Sequence, residues 1–338
     1  MDFNLEKPIE VIPDEKENLA PIKSLRSDPP PQYFTNINSV YCKDVAGRGE
    51  LDELKALVDD VPWQPLQDGY SNFWFELTND TLSPWLNFSA KTENAVIDWG
   101  DGSGEVALDT LTPTHTYAKA GRYVVKVKGV TGIGAQYGFP LPDYISVIEY
   151  IEFSSEIATI GTAAFRNTPN IKAVSFANAV NINSNAFQSC ANLKKVIGLN
   201  TDDIVASMFY MCISLRDITI PSSTLSIGNS AFSYCLSLSK ITIPENVTSI
   251  GNSAFATCAS LSEVHCQPTS PPTLGTNVFN ALPSNWLCYV PVGYGDTYKS
   301  ATGWSTYADH ILEEGQTPNR MMLAKFKEET DEPQDDMR

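Results

Sequence analysis

Basic residues are in short supply in this chain of 338 residues. Lys and Arg number 23 against 40 Asp and Glu, and the formal net charge is −17. Nucleic-acid recognition needs clustered cations to meet phosphates. No cluster of that kind appears, so no nucleic-acid partner is expected. Apolar runs are short as well. None approaches the roughly 20 residues that a bilayer-spanning helix requires, which speaks against direct membrane insertion. The opening Met1-Asp2-Phe3-Asn4-Leu5-Glu6 lacks the basic start and apolar stretch of a secretory leader. Either a leader has been removed, or export by that route does not take place.

Thiol and imidazole chemistry is thin. Cys occurs at 42, 190, 212, 235, 258, 266 and 288, an odd count with no Cys-x-x-Cys pair, which disfavours a zinc site or a disulfide framework. His115, His265 and His310 are scattered over different parts of the chain, and nothing positive groups them into a metal site or a catalytic triad. Gly102-Ser103-Gly104 lacks the outer spacing of a nucleophile elbow. Gly132-Ile133-Gly134 is followed by Tyr137 where a dinucleotide loop requires Gly. Asp98 and Asp101 offer two carboxylates, well short of the roughly 6–8 oxygens that calcium takes. They are better explained as side chains that close their own turn. The expectation is a protein that is not an enzyme, with no catalytic residue, no cofactor and no metal.

What the chain does have is a repeat. One unit reads Ile227-Gly228-Asn229-Ser230-Ala231-Phe232-Ser233-Tyr234-Cys235-Leu236-Ser237-Leu238-Ser239-Lys240-Ile241-Thr242-Ile243-Pro244, and the next begins Ile250-Gly251-Asn252-Ser253-Ala254-Phe255. Phenylalanines recur at 165, 187, 209, 232, 255 and 279, at intervals of 22, 22, 23, 23 and 24. Cys190, Cys212, Cys235 and Cys258 form a second column, begun by Thr168. Leu193, Leu215, Leu238 and Leu261 form a third, begun by Ile171. Regular self-similarity at this period is the signature of a solenoid, in which no unit can bury its apolar face alone. The alternating end of each unit, such as Leu238, Ile241 and Ile243, reads as one strand of a parallel stack. The Ala-Phe segment is expected to supply the opposite wall, and the repeat cysteines are expected to be small buried core residues.

These residues resemble the BspA-type (Treponema-type) leucine-rich repeats, over about Ile148 to Leu282. The pattern is close in the fourth and fifth units; Asn183 replaces Gly in the second, and Val205-Ala206-Ser207-Met208 loosens the third. Trp286-Leu287-Cys288-Tyr289-Val290-Pro291, with Tyr298-Lys299 and Gly303-Trp304, is similar to the closing segment of such arrays. The resemblance implies surface adhesion or recognition without enzymatic chemistry. Cys266 and Cys288 are left open to pairing across this cap, because sequence does not supply the geometry a disulfide needs.

Upstream, Val96-Ile97-Asp98-Trp99-Gly100-Asp101-Gly102-Ser103 is followed by His115-Thr116-Tyr117 and Gly121-Arg122-Tyr123-Val124-Val125-Lys126-Val127. Tyr123, Val125 and Val127 alternate as in a half-buried strand. The set resembles the polycystic-kidney-disease (PKD) domain, which implies an immunoglobulin-type β-sandwich serving as a spacer. The expected fold class is therefore mainly β, a PKD-like sandwich followed by a leucine-rich-repeat solenoid with parallel strands and short helical or irregular connections. The expected order is an extended arm over 1–45, a short helix and linker over 46–71, the sandwich over 72–130, a linker over 131–147, the solenoid over 148–283, a cap over 284–314 and an acidic tail over 315–338.

On each repeat strand the residues between the buried columns should face outward. Ala173 and Ser175, Lys195 and Ile197, Asp217 and Thr219, Lys240 and Thr242, and Glu263 and His265 hold those places. Of these, Ser175, Lys195, Asp217, Thr219, Lys240, Thr242, Glu263 and His265 form the expected ligand-facing strip, mostly polar, of mixed charge and without an aromatic platform. The expected partner is a protein or glycan surface, met at a bacterial cell surface or in secreted form. The alternative is a phage virion component, structural or host-recognising, assembled with other virion proteins; an enzyme is the remaining alternative.

Overall fold

The computed structural model describes residues 69–77, 86–135 and 148–318. The expected N-terminal arm, the helix over Gly49–Val58 and the tail after Pro318 lie outside these residues. Four strands come first: β1 (Tyr70–Leu77), β2 (Phe88–Asp98), β3 (Glu105–Ala107) and β4 (Gly121–Ile133). The repeats then alternate longer and two-residue strands. They are β5 (Ile148–Phe153), β6 (Thr159–Ile160), β7 (Ala173–Phe176), β8 (Asn181–Ile182), β9 (Lys195–Ile197), β10 (Asp203–Ile204), β11 (Asp217–Ile218) and β12 (Ser226–Ile227). β13 (Lys240–Ile243), β14 (Ser249–Ile250), β15 (Glu263–Cys266), β16 (Thr273–Leu274) and β17 (Leu287–Val290) complete the series, followed by helix α1 (Gly295–Ser300), a 3-10 turn over Trp304–His310 and β18 (Ile311–Glu313).

Each coil has three sides. One is a front sheet, paired in parallel in the orders β5-β7-β9-β11 and β13-β15-β17-β18. The second is built from the two-residue strands, paired as β6-β8 and as β10-β12-β14-β16. The third carries the Ala-Phe segment. The repeat pattern predicts two walls; the second ladder leaves no mark in it because strands of two residues are too short to show a period.

The third side is hydrogen-bonded along the solenoid axis although it contains no strand. Ser230, Phe232 and Tyr234 donate their N–H groups to Asn252, Ala254 and Ala256 of the next coil at 2.8–3.0 Å. The residues between them close tight turns within their own coil, as Ser233 N–H does on Ser230 O at 3.2 Å. All three sides of a coil thus satisfy their backbone groups, as a buried chain must. This geometry sets two residues per coil at positive φ, for example Ser230 (52°) and Tyr234 (62°).

Inside, the phenylalanines of successive coils stack nearly parallel, with centroids 5.3–5.8 Å apart from Phe165 through Phe279. Each repeat Cys lies behind them, fully buried. Its thiol donates to the Phe carbonyl of the preceding coil, as Cys212 Sγ does to Phe187 O at 3.1 Å. Burial pushes the Cys190 and Cys258 thiols up to about 12, away from the reactive thiolate form. Thr168, at the Cys position of the first coil, is buried, and its hydroxyl has no hydrogen-bond partner among the described residues.

The upstream strands were expected to form a separate sandwich. Among the described residues these strands are paired in one antiparallel sheet, in the order β1-β4-β2-β3. That sheet continues the front sheet of the solenoid, because β1 pairs with β5, Phe73 opposite Ile151. The far end of β4 crosses to the other side of the first coil, where Gly132 and Ile133 pair in parallel with Thr159 and Ile160. Residues 131–133, expected as the start of a linker, are therefore strand. One apolar core runs from Phe73 to Ile311. At the other end Phe279 is enclosed by Trp286, Trp304 and Tyr307, with centroids at 5.0, 5.9 and 5.4 Å.

A candidate binding face on the repeat strands

Parallel pairing fixes which front-face residues are neighbours. Lys195 lies opposite Asp217, Lys240 opposite Glu263 and Thr242 opposite His265. The strip is split between two ladders, since β11 and β13 are not joined. Asp217, Thr219 and Lys240 are exposed, while Ser175, Lys195, Thr242, Glu263 and His265 are half-buried. Ala173, expected to face solvent, is buried. The outer side of β5 is equally closed, with Tyr150 and Glu152 buried.

The C-terminal half of the strip is the more organised. Lys240 Nζ approaches Glu263 Oε2 at 3.3 Å. His265 stands between two carboxylates, Nδ1 at 2.7 Å from Glu314 Oε1 and Nε2 at 3.4 Å from Glu263 Oε2. Partial burial works against ionisation of Glu263, but hydrogen bonds from His265 and Lys240 outweigh it and hold the carboxyl below its ordinary range. The His265 ring lies on Tyr289, centroids 4.9 Å apart and planes 19° from parallel. Leu287 and Leu312 form a small apolar cluster with Tyr289.

An aromatic group thus stands on a strip that the sequence suggested had none. Tyr289, Leu287 and Glu314 were missed because they belong to the cap, which lacks the repeat's pattern. The alternation Leu287 out, Cys288 in, Tyr289 out, Val290 in was the available signal, once β17 is placed as the rung after β15.

The remaining sequence-marked groups lie away from this face and make local contacts. Asp98 Oδ1 accepts from Gly100 N–H at 2.9 Å and Asp101 Oδ1 from Ser103 N–H at 3.0 Å. Hydrogen bonds from Ser103 chiefly, then His115, lower the Asp101 carboxyl to about 2. His115 also stacks on Trp99, and Tyr117 Oη donates to Trp99 O at 2.7 Å. His310 Nδ1 lies 2.9 Å from Trp286 O, so the three histidines are far apart in role. Cys266 and Cys288 are brought together inside the cap as free thiols, Sγ to Sγ at 3.7 Å. Among the described residues no helix is long and apolar enough to cross a membrane.

Comparison with known proteins finds the repeat and little else. The family model described as BspA type Leucine rich repeat region matches in six copies, over residues 143–202 and 180–285. No curated protein matches the chain. Among solved structures, a leucine-rich repeat protein from Bacteroides ovatus is 25% identical with a TM-score of 0.41, covering 49% of this chain and 42% of its own. A leucine rich cell surface protein from Faecalibacterium prausnitzii is also 25% identical with a TM-score of 0.41, covering 56% and 53%. The T. pallidum Leucine Rich Repeat protein is 27% identical with a TM-score of 0.40, covering 47% and 72%. The chain spans about half the length of the first two. Within residues 143–285, then, the coils described above are similar to BspA-type leucine-rich repeats.

Proposed function

We propose that this chain is a non-catalytic binding protein of a bacterial cell surface that recognises a protein partner through the outer face of its repeat strands. The observation that carries the reading is the register, which stacks Lys240, Thr242, Glu263, His265 and Tyr289 in rows on a rigid ladder. Side chains held by their neighbours lose little freedom on binding, and that preorganisation favours affinity. Paired charges beside one aromatic ring and a small apolar cluster fit a protein surface better than a sugar. One face of the Tyr289 ring is already occupied by His265. The resemblance to BspA-type repeats supports placement at the cell surface.

The test presents the labelled chain to an array of matrix proteins and of glycans. Binding to at least one protein is expected, weakened at least about tenfold by Lys195→Glu with Lys240→Glu, with unchanged thermal stability. Binding confined to glycans, or indifferent to both reversals, overturns the proposed face. Recovery of the chain from purified phage particles and not from the envelope overturns the surface placement.

A further inference from the structure

The residue before each repeat Cys, or before Thr168 in its place, has a positive φ. These are Asn167, Ser189, Met211, Tyr234 and Thr257, with φ between 56° and 62°. Left-handed backbone suits Gly and Asn and penalises larger side chains. The third and fourth coils nevertheless place Met211 and Tyr234 there, and both are exposed. Two residues further on stand Ile213 and Leu236, exposed as well, where the neighbouring coils carry Ala191 and Ala259.

Backbone bonds hold these corners side by side. Met211 N–H donates to Ser233 O at 2.9 Å and Ser237 N–H to Ile213 O at 3.1 Å. Tyr210 meets Tyr234 edge-on at 5.8 Å. Large apolar side chains are thus gathered in water, two of them on backbone that a smaller residue would fit better. The backbone at Met211 and Tyr234 is served worse by these residues than by Gly or Asn, and a broken local rule of this kind is expected at functional positions.

Cations border the patch. The residue after each buried Leu or Ile is Lys172, Lys194 and Arg216 in the first three coils, then Ser239 and Ser262. Lys172 is held by Glu149. Lys194 and Arg216 are exposed and form no ion pair among the described residues. Arg216 N–H donates to Lys194 O at 3.2 Å, which places them in adjacent coils. The neighbouring carboxylate, Asp217, lies opposite Lys195 in the strand register. Positive charge here is a local inversion in a chain of net charge −17.

We infer that Met211, Ile213, Tyr234 and Leu236, bordered by Lys194 and Arg216, form a second docking site, for a short protein segment carrying apolar side chains flanked by carboxylates. The site lies on a corner of the coil, apart from the strand face, and does not rest on the function proposed for that face. A peptide fits better than an anionic bilayer, which the net charge of the chain opposes. Cations on one border also orient a short segment.

Two short fluorescein-labelled peptides with identical leucines, one flanked by glutamates and the other by lysines, serve as probes for the full chain. The glutamate peptide is expected to bind at least about tenfold more tightly. Met211→Asn with Tyr234→Asn should abolish that preference, as should Lys194→Glu with Arg216→Glu, while Lys240→Glu on the strand face leaves it intact. The asparagine pair should melt no lower than the parent, because Asn accepts this backbone. Equal binding of the two peptides overturns the proposal, as does a lower melting point for the asparagine pair. Preference for phosphatidylglycerol vesicles over the glutamate peptide, or self-association that the asparagine pair removes, assigns the patch to another occupant and equally overturns it.

Discussion

At its first coil the solenoid meets an antiparallel sheet; at its last it meets two parallel strands and a plug of indole and phenol rings. The upstream closure works through backbone. β1 and the end of β4 pair with the strands on two different sides of the first coil, so both edges of that coil are covered and the sheet ends instead on the three-residue β3. It also encloses polar groups, with Glu152 buried beside Asn72. The downstream closure works chiefly through side chains. Trp304 is fully buried against Phe279 and Tyr298, and its indole N–H donates to Pro272 O at 2.7 Å. One end is therefore sensitive to charge and the other to volume.

The sharpest way to break the contrast is at the plug. Trp304→Ala should cost about 3–5 kcal/mol, read by chemical denaturation, with little dependence on pH. A smaller effect follows at the upstream end. Burial raises the Glu152 carboxyl to about 7, although a hydrogen bond from Asn72 pulls the other way. Its folded value lies above the unfolded one, so stability is present at low pH and is lost as pH rises from the ordinary carboxylate range through about 7. Glu152→Gln should thus gain on the order of 2–3 kcal/mol near pH 8 and nothing near pH 4. A pH-independent gain would show that burial of charge is not the cause. The smallest effect is expected at Thr168, whose buried hydroxyl lacks a partner among the described residues. Thr168→Val keeps the shape and should add about 1 kcal/mol, visible as a small rise in melting temperature.

Much of the solenoid was legible in the sequence. The Phe, Cys and Leu columns mark one residue each per coil, and every one of these columns is core. The outward positions of Lys240, Thr242, Glu263 and His265 also followed from alternation on the strand. Other features did not follow, for identifiable reasons. The union of the upstream sheet with the first coil depends on long-range pairing of Phe73 with Ile151, which leaves no local pattern. Ala173 is buried on the nominally open side, because alternation says which face a residue takes and not whether that face is covered. Tyr289 belongs to a rung outside the repeat. The positive φ of Met211 and Tyr234 was hidden because neither residue favours it. Only the comparison of six coils shows that the position demands it.

On the Ala-Phe side each coil donates its Phe N–H to a carbonyl of the next coil, in the same pattern at Phe187, Phe209, Phe232 and Phe255. Unequal recombination that adds or deletes one whole repeat would leave every such bond with a partner and both closures untouched. A change of half a repeat would strand donors on all three sides. Length is therefore a property that inheritance can alter in whole coils, and a lineage can lengthen or shorten its reach without redesigning either end.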